Sequence, residues 1–178
     1  MRIISGKYKG RRLVAPKKLP VRPTTDMAKE GLFNILNNRF QWDGIKVLDL
    51  FAGTGNISFE FASRGVEEIV AVDSFAGCIQ YINKIAQELD FPITPLKSNV
   101  FKFLERTQQK FDIIFADPPY NLAEEKLTSI IGHVMEKGLL EEGGVLVLEH
   151  AEQKNLSSHA HFSEARKYGS SVFSFFKK

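Results

Sequence analysis

Phe111-Asp112-Ile113-Ile114-Phe115-Ala116-Asp117-Pro118-Pro119-Tyr120 is the stretch on which the fold turns. Five of the six residues from Phe111 to Ala116 are apolar or β-propensive. A short run of that kind, bounded by turn residues, reads as a strand buried on both faces of a sheet. It stops at Asp117, because Pro118 and Pro119 have no N–H for a sheet ladder and hold φ at about −65°. Pro118 also restricts Asp117 to an extended backbone. A carboxylate, free carbonyls and the Tyr120 ring are thereby set on a stiff corner at the carboxyl end of a strand, the edge where open α/β sheets bind ligands. A flat group bearing an exocyclic amine fits this corner: Tyr120 stacks on it while Asp117 and a proline-flanked carbonyl accept its two N–H bonds. Taken alone, Asp-Pro-Pro reads equally well as a surface turn with a helix-capping Asp, so the choice depends on the rest of the chain.

The 178 residues, 43% of them hydrophobic, suit one globular body with a sizeable core. No run approaches the roughly 18 apolar residues of a membrane span. Met1-Arg-Ile-Ile-Ser-Gly-Lys7 lacks the apolar stretch of a signal peptide. Cys78 is the only cysteine, so no intramolecular disulfide forms, and a reducing cytoplasm is the expected compartment. Charge is unevenly spread. Residues 1–30 hold nine Lys/Arg against Asp26 and Glu30, a net +7, and the remainder is −4. A basic arm on a mildly acidic body is the footprint of a partner made of phosphates, although a solvated basic tail carries the same charge.

Within that arm, Arg2–Gly6 and Gly10–Ala15 read as the two sides of a hairpin with Lys7, Tyr8 and Lys9 at its tip and Arg11 and Arg12 on its flank. Phosphates would meet the cations, and an unstacked base could lie on the Tyr8 ring. Pro16–Pro23 is an extended connector that includes Arg22. The expected division is an arm and connector over residues 1–21 and a single domain over 22–178.

Arg22-Pro-Thr-Thr-Asp26 opens a helix capped by Thr25 or Asp26, with Leu32, Phe33, Ile35 and Leu36 as its buried stripe. On spacing alone, Thr24 and Thr25 suit capping and ligand contact equally. Ile45–Phe51 is the next buried strand. It runs into Ala52-Gly53-Thr54-Gly55-Asn56 and then a helix, the βα corner at which glycines let a ligand approach the backbone. Ser58 stands where the third glycine of a dinucleotide fingerprint would fall, which argues against a pyrophosphate cofactor. Asp49, at that strand's end, would instead attract a cationic ligand. Ile69–Asp73 is a strand ending about 20 residues past the first glycine, where a carboxylate meets ribose hydroxyls or caps the following helix. Phe91–Lys97 is a proline-marked strand suited to a sheet edge. Asn99, beside Val100, is placed either to read an adenine edge or to cap the next helix. A Gly143-Gly144 turn leads into the strand Val145–Glu149, and Ala165–Tyr168 with Ser171–Phe176 forms a closing hairpin. The histidines lack carboxylate or thiol companions at metal-ligand spacing, so no metal site is expected.

Asp49 with Phe51, Gly53 and Gly55, then Asp73, then Asn99, then Asp117 to Tyr120 would all meet on one sheet edge. At that point the chain resembles the S-adenosylmethionine-dependent amino-methyltransferases, whose Asp/Asn-Pro-Pro-Tyr/Phe signature matches Asp117–Tyr120 and whose glycine motif matches Asp49-Leu-Phe-Ala-Gly-Thr-Gly55. Arg22-Pro-Thr-Thr-Asp26 with Glu30 and Leu32-Phe-Asn34, behind a basic hairpin and ahead of Lys167-Tyr-Gly169, is similar to the RsmD-type family over essentially the whole chain. Met27 and Lys29 stand where that family usually has arginines, and Asn99 where it often has Asp.

The resemblance implies an α/β, Rossmann-like fold with a seven-stranded, mostly parallel sheet and an antiparallel last strand. It implies methylation of the N2 amine of one guanine in small-subunit (16S) ribosomal RNA, free or in an assembling particle, by a cytoplasmic monomer. Asp117, Pro118, Pro119 and Tyr120 would be catalytic. Thr24, Thr25, Asp49, Phe51, Gly53, Gly55, Asp73, Asn99 and Val100 would hold S-adenosylmethionine, and Lys7, Tyr8, Lys9, Arg11, Arg12 and Arg22 the RNA. A DNA amino-methyltransferase acting on adenine or cytosine is the nearest rival, and a protein-glutamine substrate also suits the corner. A nicotinamide oxidoreductase and a non-catalytic RNA-binding module stand further off.

Overall fold

The computed structural model describes residues 1–178. In chain order its elements are α1 (Asp26–Asn37), β1 (Lys46–Leu50), α2 (Asn56–Ser63), β2 (Glu68–Asp73), α3 (Ala76–Leu89), β3 (Ile93–Lys97), α4 (Val100–Arg106), β4 (Phe111–Ala116), α5 (Glu124–Glu136), β5 (Leu140–Ala151), β6 (Phe162–Tyr168) and β7 (Ser171–Phe176). They build one seven-stranded sheet in the order β3-β2-β1-β4-β5-β7-β6. The five strands from β3 to β5 are parallel, and β7 pairs antiparallel with both β5 and β6. The chain order reverses between β1 and β4, so the switch point falls where Asp49 and Asp117 end their strands. Proline-bearing β3 lies at the edge, as its composition requires.

Strand alternation divides the interior into two layers. Val47, Phe115, Val147, Phe173 and Phe175 face a cluster of 29 buried residues shared with α1, α2 and α3. Leu48, Ile114, Ala116, Leu146 and Leu148 face a second cluster of 19, covered by α4 and α5. Phe111 joins the second cluster although Ile113 and Phe115 join the first. That break in alternation coincides with a bulge between Phe111 and Ile113 opposite the stretch from Leu140 to Val145. Gly143-Gly144, expected as a free turn, lies inside β5 at this bulge. Gly144 packs so closely on the Asp112 carbonyl that a Cβ there would sit 2.9 Å from it.

The N-terminal hairpin is docked along α2. Its sides are joined by the Ile3 N–H to the Arg11 carbonyl and the Leu13 N–H to the Met1 carbonyl, with one bridge between Arg2 and Arg12. The amides of Ile4 and Ser5 donate to the Glu60 carboxylate, and Lys7 N–H donates to the Ser63 carbonyl. Ile3, Leu13 and Leu19 are buried in the same cluster as the α1 stripe. Hydrophobic burial and charge-assisted bonds thus hold a hairpin that would be marginal alone.

Candidate active site at the carboxyl edge of the sheet

Phe51 leaves β1 with φ 58°, a left-handed conformation that costs a residue with a side chain about 1–3 kcal/mol and marks functional turns. The turn then closes through Gly53 (φ 56°), whose N–H donates to Asp73 Oδ2 at 2.9 Å. Asp73 Oδ1 accepts from the Phe75 N–H, also at 2.9 Å. One carboxylate therefore ties the first two βα turns together, and each oxygen keeps a lone pair for a ligand hydroxyl. Gly55 serves differently. It stands at φ 82° against Ile82 and Phe59, and a Cβ would come within 2.9 Å of both, so its role is to let α2 pack on α3.

Asp49 is 1% exposed and accepts the Ser58 hydroxyl at 2.6 Å. Burial, reinforced by the Asp73 charge, pushes its carboxyl up to about 7, and the Ser58 bond offsets only part of this. Ser58, which replaces the third glycine of a dinucleotide motif, is thus the residue that holds the acid.

The second corner is built from β4 and β5. Ala116 lies opposite Leu148 in the parallel register, so Asp117 and Glu149 leave adjacent strands side by side. Burial and the neighbouring Glu149 and Asp49 charges hold the Asp117 carboxyl well above the usual range, with Arg22 opposing. Glu149 is 3% exposed, and its pKa is raised chiefly by burial. The Thr24 hydroxyl donates to it at 2.9 Å, and the nearby Ser171 hydroxyl also favours its charged form. The Tyr120 hydroxyl meets Ser171 Oγ at 3.1 Å, and the Arg22 guanidinium lies 4.7 Å from the centre of the Tyr120 ring. Lys154 braces the corner from behind by donating to the carbonyls of Tyr120 (2.9 Å) and Leu122.

Both corners open into one cleft of about 670 Å³. Of the expected site residues, it gathers Arg22, Thr24, Thr25, Asp49, Phe51, Gly53, Asp73, Asp117, Pro118, Pro119 and Tyr120. Thr25 also caps α1, accepting the Ala28 N–H at 3.2 Å. Asn99 and Val100 stand outside the cleft. The Asn99 Oδ1 is taken by the Lys102 N–H at the start of α4 and Val100 is buried in the second cluster, so the capping alternative is the one the structure supports.

Tyr8 also departs from expectation. Its hydroxyl donates to the Leu89 carbonyl, Phe91 meets its ring edge-on at 5.4 Å, and Lys7 and Arg11 lie over it. A ring so engaged anchors the hairpin to the end of α3. The hairpin tip lies at the last turn of α2, about 12 Å along that helix from the cleft. Lys7, Lys9, Arg11 and Arg12 therefore form a surface apart from the cleft, with Arg11 paired to Glu88.

Sequence reasoning missed Glu149 as a site residue. The available signal was the repeat of one pattern, an apolar strand ending in an acid, at Asp49, Asp73, Asp117 and Glu149. It also missed Phe75, Ser171 and the Tyr168–Ser170 turn, which close the far wall of the cleft.

The family model described as conserved hypothetical protein 95 matches residues 1–177. The ribosomal RNA small subunit methyltransferase D of Escherichia coli K12 is 32% identical over 159 residues, covering 84% of this chain and 71% of that one. YlbH of Bacillus subtilis, whose name assigns it provisionally to the rRNA methyltransferases, is 38% identical over 161 residues, covering 88% and 85%. A solved structure of the Thermus thermophilus protein TTHA0928 superposes with a TM-score of 0.85 at 27% identity, over 100% of this chain and 99% of that one. The chain belongs to the conserved hypothetical protein 95 family, and within it to the RsmD-type methyltransferases.

Proposed function

We propose that this protein transfers a methyl group from S-adenosylmethionine to the exocyclic N2 amine of a guanine in 16S ribosomal RNA. The observation that carries this reading is the single cleft in which Asp49, Gly53 and Asp73 stand beside Asp117-Pro-Pro-Tyr120. The donor residues suit the cofactor: buried Asp49 faces the side that takes a cation, and Asp73 keeps lone pairs for ribose hydroxyls. When bound, S-adenosylmethionine supplies a methyl carbon already activated by its sulfonium.

The chain's task is then positioning, which supplies about 7–11 kcal/mol in favourable cases. Asp117 and the Pro118 carbonyl accept the two amine hydrogens and orient the nitrogen lone pair. Tyr120, steadied on one face by Arg22, offers its other face to a base drawn out of its stack. The amine becomes acidic as it is alkylated, and Asp117, whose pKa is raised, stands ready to receive that proton. Lys7, Lys9, Arg11 and Arg12 of the 1–21 arm bind phosphates away from the chemistry. We place the enzyme in the cytoplasm as a monomer; no helix is long and apolar enough to cross a membrane.

The test is tritiated-methyl transfer to ribosomal RNA and small subunits from cells lacking the gene, followed by nucleoside analysis. N2-methylguanosine is the expected product. Asp117→Ala should abolish turnover and spare cofactor binding measured by calorimetry. A label on adenine, cytosine or protein, or near-normal rates in that variant, would reject the reading.

A further inference from the structure

Guanine differs from the other amine-bearing bases at the atom next to its amine. Adenine places a ring-nitrogen acceptor beside its amine, and so does cytosine, whereas guanine places a second donor there, N1–H. A corner built for guanine therefore needs two acceptors side by side, and one built for adenine or cytosine would be spoiled by the second.

The structure holds two. Asp117, just past β4, and Glu149, near the carboxyl end of β5, follow the parallel pair Ala116–Leu148, which sets their backbones about 4.8 Å apart. Both follow the alternation of Phe115 and Val147, so both rise on the sheet face that carries α1 and line the same cleft. Glu149 is held by the neutral Thr24 hydroxyl on Oε2, with the Ser171 hydroxyl nearby, and both of its oxygens keep lone pairs free. No cation bonds it directly. A glutamine would satisfy the Thr24 hydroxyl without the cost of burying a charge next to Asp117. What glutamine would lose is an acceptor-only surface.

We propose, building on the guanine reading above, that Glu149 accepts the N1–H of the target guanine while Asp117 and the Pro118 carbonyl hold the N2 amine. The two strand ends then select the base as well as orient it. Thr24 acts as a positioning residue for Glu149, and Ser171, beside it, holds the Tyr120 hydroxyl.

2-Aminopurine keeps the amine of guanine, presents an acceptor at N1 and lacks O6, so the change in preference between wild type and Glu149→Gln reads the N1 contact. The probe is a small-subunit RNA fragment carrying either guanine or 2-aminopurine at the mapped position. Wild-type protein should prefer guanine by at least about 100-fold. In Glu149→Gln, whose amide can donate to the 2-aminopurine N1, the preference should fall to within about tenfold. It is read both as kcat/KM and as the Kd of each RNA measured without turnover, so a slow variant still reports. Cofactor affinity of the variant, by calorimetry, should match wild type. Equal use of the two RNAs by wild type, or a preference that Glu149→Gln leaves unchanged and that therefore comes from O6, overturns the role given to Glu149. Wild-type protein that methylates no guanine at all sinks the proposed function instead, and the two failures are distinct.

Discussion

Asp49 links the state of one proton to both stability and ligand affinity. Its folded pKa of about 7 lies above the ordinary carboxylate value, so the unliganded protein is most stable while this group is protonated. That stability is fully present below about pH 4 and is lost as pH rises towards 7, a cost of up to about 4 kcal/mol. Asp117 and Glu149 are shifted the same way and add to the slope. Chemical unfolding of the apo protein between pH 5 and 8 should therefore show stability falling with pH, less steeply in Asp49→Asn. A cationic ligand reverses the preference, because it needs the ionised form. Calorimetry should find S-adenosylmethionine binding weakening by up to tenfold for each pH unit below about 7, and Asp49→Asn should bind weakly with no such dependence. A flat wild-type profile would show that Asp49 does not face the cofactor charge.

At the scale of elements, the Asp117–Tyr120 corner owes its stiffness to more than its two prolines. Beyond Pro119 the loop after β4 is held by the Leu122 N–H on the Pro119 carbonyl, by Ser171 on the Tyr120 hydroxyl and by Lys154, on the segment after β5, whose ammonium bonds the carbonyls of Tyr120 and Leu122. Holding a base against Tyr120 to within an ångström matters, since a misplacement of that size costs about 100-fold in rate. Lys154→Met should lower kcat about 10–100-fold with cofactor Kd unchanged, and Lys154→Arg should recover part of it. Unaltered kcat in the methionine variant would assign the stiffness to the prolines alone. The α1 cap is a milder case. Removing the Thr25 hydroxyl by Thr25→Ala should cost about 1 kcal/mol in a denaturant titration.

Over the whole molecule, a buried ion pair between α1 and α2 is the anchor to which the backbone of the N-terminal hairpin bonds. Lys29 and Glu60 are both fully buried, 3.4 Å apart, and Lys29 Nζ also donates to the Arg2 carbonyl and to Asn56 Oδ1. Burial lowers the Lys29 pKa, with Glu60 opposing. Lys29 therefore contributes to the charge count of the first 30 residues without being available to a phosphate. Lys29→Met leaves Glu60 buried with fewer partners and should cost about 3–5 kcal/mol in urea unfolding, with earlier proteolysis before Pro23. The exposed cations have the other role. Replacing Lys7, Lys9, Arg11 and Arg12 by Gln should weaken RNA binding and reduce the slope of log K against log salt by about 3, leaving cofactor affinity unchanged. An unchanged slope would return the arm to a purely structural part.

The elements and their order were written locally. Apolar runs such as Phe111–Ala116 and Ile69–Asp73, the helical stripe of α1 and the glycine corner after β1 are patterns within a few residues, and the class of sheet follows from their alternation. Asp49, Asp73 and Asp117 were legible for the same reason, since each ends a strand whose carboxyl edge is the ligand edge. What only the tertiary structure decided were meetings across the chain: Thr24 with Glu149, 125 residues away, Arg22 over Tyr120, Lys154 behind the proline corner, and Lys29 against Glu60. It also decided between uses that one residue type serves equally, turning Asn99 into a cap and Tyr8 into an anchor. A sequence states which donors and acceptors exist, but burial and proximity determine which of them remain free for a ligand, and both are set by the packing of segments distant along the chain.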